Sequence, residues 1–198
     1  MAKEIIKDIK AREALGKGVD ILANAVRVTL GPKGRNVLLE KKYGLPVVTN
    51  DGVTIAQEIE VEESGKNVGV QVAKEIATKT NDLVGDGTTT ALVLAQKMLR
   101  EGLRSIAFGH NPVLFRRGME EALNRAIEKI KSYSLVVEDR KSISQVASIS
   151  SNDPVVGEIV AQALEKVGKD GVVTVEESKS AETTIEITEG MQFDQGYL

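Results

Sequence analysis

Gly65, Gly69, Ala73 and Ala77 stand four residues apart in a segment that reads as a helix from about Lys66 to Leu83. Steps of four place all of them on one helix face. A face without side-chain bulk lets a second backbone approach closely, so the spacing predicts tight helix-on-helix packing. Val68, Val72 and Ile76 form an adjoining apolar stripe.

Further helical periodicities surround this one. Ala14, Leu15, Val19, Leu22, Ala23 and Val26 predict a helix from about Ile9 to Val28, which ends at Thr29-Leu30-Gly31-Pro32-Lys33-Gly34. Proline cannot continue a helix, and glycine permits a turn. Val37-Leu38-Leu39 and Val47-Val48-Thr49, joined by Lys41 to Pro46, predict a hairpin. A short helix follows from Val53 to Ile59. Ala91, Leu92, Ala95, Met98 and Leu99 give a broad apolar face to a helix from about Thr88 to Arg104. Asn111-Pro112 opens another, with Phe115, Met119, Ala122, Ala126 and Ile130 at helical steps and Phe115 and Met119 as core. Three long helices in succession predict a bundle layer. Their apolar faces are wider than one another can cover.

The pattern changes after Tyr133. Segments shorten and become serine-rich at Ser142, Ser144, Ser148, Ser150 and Ser151. Asp153-Pro154 and Gly168 bracket a helix from Pro154 to Val167. Val172 to Val175 and Thr184 to Ile187 read as a strand pair. A domain boundary is placed near residue 134 and a second change near Gly190.

Composition removes whole classes of chemistry. The 198 residues hold no cysteine and one histidine, His110, so disulfides, thiolate zinc sites and Cys- or His-dependent nucleophilic catalysis are not expected. Any metal must take oxygen ligands, which suits Mg²⁺. With 26 basic and 29 acidic residues the formal charge is -3, which gives no reason to expect nucleic acid or an anionic membrane as partner. The N-terminus is too charged for a secretory signal, and no apolar run approaches the roughly 18 residues of a membrane helix. A cytoplasmic location is the default.

Three segments carry candidate chemistry. In Asp86-Gly87-Thr88-Thr89-Thr90 a carboxylate precedes a glycine and three threonines that open a helix. Free N–H groups at a helix N-terminus suit phosphate, and the carboxylate then makes sense as a ligand for accompanying Mg²⁺. The same residues also read as a capped helix, with Asp86 or Thr88 as N-cap. Thr29 to Gly34, with Lys33 and Arg35 nearby, is a glycine-containing turn that lacks the ending of a P-loop. Asp51 in Asn50-Asp51-Gly52 is placed to position water near a phosphate, or is simply part of a turn. His110 reads as a loop residue before a helix, and Glu58 to Glu63 as a solvated linker.

Taken in order, Val28 to Asn36, Asn50 to Ala56, Gly85 to Thr90, Gly109 to Pro112, Val167 to Val172 and Glu189 to Asp194 resemble the N-terminal signatures of group I chaperonins, the GroEL type. The resemblance covers essentially the whole chain. It implies a mainly α fold with small β-hairpins. Residues 1–134 would be the N-terminal half of the equatorial, ATP-binding and ring-forming domain. Residues 135–189 would be the first half of an α/β intermediate hinge domain, and 190–198 the start of the apical domain. The chain would then be a truncated part of a longer polypeptide.

The same resemblance implies ATP, Mg²⁺ and K⁺ as cofactors. Asp86 matches the Mg²⁺ ligand, Gly87, Thr88, Thr89 and Thr90 the phosphate cradle, and Thr29, Leu30, Gly31 and Pro32 the second nucleotide loop. Thr29 also matches a K⁺ contact, Asp51 an acid near the attacking water, and Ile149 and Ser150 a hinge segment approaching the pocket. Asn50 stands where many members carry lysine, so no lysine–phosphate contact carries over. Implied partners are like subunits in a double ring, a GroES-type co-chaperonin and unfolded proteins. Ile5-Ile6 would lie in a strand at a subunit interface. The function implied is that of an ATP-hydrolysing chaperone subunit, with the isolated chain weak or inactive. The alternative is a non-catalytic, chaperonin-like interaction segment.

Overall fold

The computed structural model describes residues 4–41, 44–168, 171–176 and 183–187. The chain divides into two compact units, Met1–Ile127 and Glu128–Leu198.

The first unit contains α1 (Asp8–Arg27), a hairpin of β1 (Val37–Leu39) and β2 (Val47–Thr49), α2 (Gly52–Glu58), α3 (Ser64–Val84), α4 (Thr88–Ala107) and most of α5 (Pro112–Tyr133). The small-residue ridge does what its spacing predicts. Gly69, Ala73 and Ala77 are buried along α3. A Cβ on Gly69 would lie 2.2 Å from the Leu15 carbonyl oxygen, and one on Gly18 would lie 2.0 Å from the Lys66 carbonyl oxygen. The two glycines thus let α1 and α3 pack backbone against backbone. The adjoining stripe differs from expectation: Val68 is 55% and Val72 41% exposed, and only Ile76 leans on the core.

That core joins Val19, Leu22 and Val26 of α1, Ile55 and Ala56 of α2, Val70, Ala73 and Ala77 of α3, and Leu92 of α4. Full burial of side chains the size of Leu22, Ile55 and Leu92 contributes about 1.5–3 kcal/mol each. The hairpin is antiparallel, with Val37 opposite Thr49 and Leu39 opposite Val47. Val37 and Leu39 lean on the core, and so do Ile59 and Val61 of the acidic linker. Hence that linker is solvated on one side only; Glu58 pairs with Lys41 at 2.6 Å.

The expected three-helix layer does not form. No residue of α5 is buried, and Phe115 and Met119 are only half-buried. The stripe has little to sit on: the Phe115 ring lies 3.3 Å from where a Cβ on Gly102 would be. Exposed pairs along the helix, Arg116–Glu120 and Glu121–Arg125, add about 0.2–0.5 kcal/mol each. Glu4 to Lys7 form no strand, Ile5 is exposed, and no strand among the described residues pairs with them.

The second unit contains α6 (Arg140–Ser151) and α7 (Pro154–Val167). The serine-rich stretch is therefore helical, which periodicity did not reveal. Asp139 caps it, accepting from Ser142 N at 3.0 Å and Ser142 Oγ at 2.6 Å. Ser148 and Ser151 turn their hydroxyls back onto the carbonyls of Ser144 and Ala147, which keeps them from competing with the helix. Asn152, in the left-handed region, ends α6, and Asp153 caps α7. The expected strands are absent among the described residues: 171–176 and 183–187 have no strand structure. Val172 and Val175 are exposed, and a lone ribbon with no face to bury is marginal. The expected apical start, 190–198, lies outside the described residues.

Candidate functional site

The turn after α1 closes on itself. The Thr29 hydroxyl donates to the Val26 carbonyl at 2.9 Å, Gly34 N to Gly31 O at 2.8 Å, and Arg35 N to Val28 O at 2.9 Å. Gly31 takes φ +75°, with open space where a side chain would be.

A second turn joins α3 to α4. Gly85 (φ 74°) ends α3 in the left-handed conformation, and Gly87 (φ 81°) stands as N-cap of α4. Neither Asp86 nor Thr88 caps the helix. Asp86 instead accepts from Gly87 N at 2.6 Å. With no side-chain cap, the first-turn N–H groups of α4 are left for another acceptor. Both glycines have open space beside them, so the turn presents backbone rather than side chain.

The tertiary fold brings the three sequence segments together. Thr29 Oγ1 lies 3.1 Å from Thr89 Oγ1. Because the Thr29 proton already goes to Val26, Thr89 donates in this pair, and its own lone pairs stay free for a cation or a donor. Gly52 closes the third side: a Cβ there would lie 2.6 Å from both the Thr88 and Thr89 hydroxyls. The one local signal for this contact is a glycine at the first position of α2, where larger residues are also tolerated. Gly52→Ala is expected to push those hydroxyls aside and break the Thr29–Thr89 bond while leaving the fold intact. Amide resonances of Thr29 and Thr89 should shift, with a stability loss near the ~1 kcal/mol of one hydrogen bond.

Asp51 is exposed beside this cluster. Its Oδ2 caps α2, accepting from Thr54 N at 2.8 Å and Thr54 Oγ1 at 2.6 Å. Leu30 is exposed next to Thr29. Ile149 and Ser150 lie in the last turn of α6, in the second unit, and are exposed there. His110 sits in the turn before α5 with Nδ1 3.0 Å from the Ser105 carbonyl.

Among the described residues no three His, Cys, Asp or Glu side chains gather as a metal site. A cation at this cluster would have Asp86, with Asp51 nearby, as carboxylate ligands, and hydroxyl and backbone oxygens around it. That donor set fits Mg²⁺, which keeps several waters and uses one or two carboxylates plus substrate phosphates. Among the described residues no helix is long and apolar enough to cross a membrane.

The architecture is that of a chaperonin. Over 79% of this chain it superposes on a solved structure described as "Crystal structure of group III chaperonin in the open state", with a TM-score of 0.65 and 32% identity. Residues 22–198 match the TCP-1/cpn60 chaperonin family, and the chain belongs to that family. It spans 31% of the length of the matched chaperonin chain.

Proposed function

We propose that this chain supplies the Mg²⁺- and phosphate-binding half of an ATP site in a ring-forming chaperone subunit that assists the folding of non-native proteins. The observation that carries this is the meeting of Thr29, Gly52, Thr88 and Thr89 at an uncapped helix N-terminus beside Asp86.

Each residue has a part that its geometry suits. The N–H groups and hydroxyls of Thr88, Thr89 and Thr90 take phosphate oxygens, helped by the positive end of α4. Gly87 lets the phosphates approach the backbone. Asp86 holds Mg²⁺, which when bound neutralises phosphate charge. Thr29, Leu30, Gly31 and Pro32 wall the other side, with Thr29 as the K⁺ contact. The Asp51 oxygen left over from capping α2 orients a water. Like subunits, a co-chaperonin and unfolded chains are the partners of the complete assembly.

Asp51 and Asp86 are both exposed here, so water competes for the phosphates and screens every charge. The 198-residue chain is therefore expected to bind Mg·ADP weakly, on the order of 1 mM or about -4 kcal/mol, and to hydrolyse ATP slowly or not at all. Titration with a fluorescent ADP, with Mg²⁺ and then with EDTA, tests the first point; phosphate release tests the second. Absence of Mg²⁺-dependent binding at several-fold higher nucleotide would favour a non-catalytic interaction role. Turnover matching an intact chaperonin would overturn the reading of an open half-site.

A further inference from the structure

Helices α1 and α4 run antiparallel and touch at a series of rungs. Gly16 meets Leu103, Asp20 meets Arg100, Asp20 and Asn24 meet Gln96, and Thr29 meets Thr89. The last rung is the candidate site. The rung before it is polar and unusual: Gln96 is 6% exposed, yet its amide donates to Asp20 Oδ1 at 2.7 Å and to Asn24 Oδ1 at 3.2 Å. Arg100 donates to the same Asp20 oxygen at 2.9 Å.

We infer that Gln96 is a positioning residue that fixes the axial register of α4 on α1, and through it the Thr29–Thr89 contact. Apolar packing by Leu22, Val26 and Leu92 sets how far apart the helices lie, but it is non-directional and resists sliding poorly. A hydrogen bond has a narrow range of length and angle. A slip of one residue moves α4 about 1.5 Å along its axis. That slip would carry the Gln96 amide out of reach of Asp20 and bury an unpaired donor, which is costly. It would also part Thr29 from Thr89. Gln96 lies about two helical turns from Thr89, and Asn24 about one and a half from Thr29. Over such short rigid spans, a register fixed at one rung is delivered to the next.

The inference rests on the phosphate-site reading for its functional meaning, but its geometry is testable without nucleotide. Gln96→Met keeps the volume and removes the amide. Asp20 and Asn24 are partly solvated and can turn to water, so the chain is expected to fold. Hydrogen exchange should then quicken by roughly tenfold or more, the equivalent of 1.4 kcal/mol, at the hydrogen-bonded amides of the two turns, Thr29, Leu30, Gly34, Arg35 and Ala91, and remain unchanged in α6 and α7. Gln96→Glu combined with Asp20→Asn reverses donor and acceptor; it should restore slow exchange at both turns, which a loss of core packing alone would not allow. Uniform quickening along α1 and α4, or none, would overturn the inference. Weaker Mg·ADP binding in Gln96→Met, recovered in the double variant, would extend it to function. If the wild-type chain binds no nucleotide while the exchange pattern holds, the phosphate-site reading fails and the register inference stands.

Discussion

Gly69→Val is expected to destabilise the first unit by about 3 kcal/mol or more, the upper range for overpacking a close contact. At Gly69 an added Cβ meets the Leu15 carbonyl oxygen at 2.2 Å and the Gly18 Cα at 3.0 Å. Both are backbone atoms, so no rotamer change relieves the clash; α1 and α3 must move apart. Parting them exposes Val19, Leu22, Val70 and Ala73, all buried between these helices and their neighbours. Against a typical stability of roughly 5–15 kcal/mol, such a loss is severe. Urea unfolding reads it as a lower midpoint. Gly118→Ala is the control, since Gly118 lies within α5 with nothing within 4 Å of a new Cβ. It should stabilise by roughly 0.5–1 kcal/mol, the helix-propensity difference between the two residues. An unchanged midpoint for Gly69→Val would show that the two backbones do not approach so closely.

Asp86→Ala is expected to have the opposite profile, a large effect on binding with little on stability. Asp86 is exposed, and its hydrogen bond with the Gly87 N–H is local. Unfolding should therefore be nearly unchanged. If Asp86 holds Mg²⁺, its loss should weaken Mg·ADP binding by at least the roughly 10- to 100-fold that removal of a metal site's outer-shell partner costs. Without Mg²⁺, variant and wild type should bind alike, or the variant slightly better, since a repelling carboxylate is gone. Parallel titrations in Mg²⁺ and in EDTA separate these arms. Equal affinity of the two proteins in Mg²⁺ would remove Asp86 from the site.

Some of this protein is legible in its sequence because local physics decides it. The spacing of Gly65, Gly69, Ala73 and Ala77 announces a close helix contact, and Asp153-Pro154 with Gly168 brackets α7. Motif order was enough to identify the chaperonin family, later supported by the match over residues 22–198. Where sequence reasoning went astray, a non-local condition was missing. The Val172 and Thr184 segments have strand composition, but a strand needs a partner and a face to bury. The α5 stripe has helical spacing, but spacing does not supply a surface to cover it. Serines 142 to 151 looked unlike a helix because their hydroxyls compete with the backbone; the Asp139 cap and the turned-back Ser148 and Ser151 resolve that competition.

The sequence by itself determined most of the helices, the cap of α7 and the family, since these depend on residues a few positions apart. Only the tertiary structure decided that Thr29, Gly52 and Thr89, far apart in the chain, share one corner, and that Gln96 reaches Asp20 and Asn24. The same fold placed Gly69 against Leu15 rather than some other backbone. Spacing along one helix shows which face is bare, but the choice of partner and register belongs to whole helices packing at once.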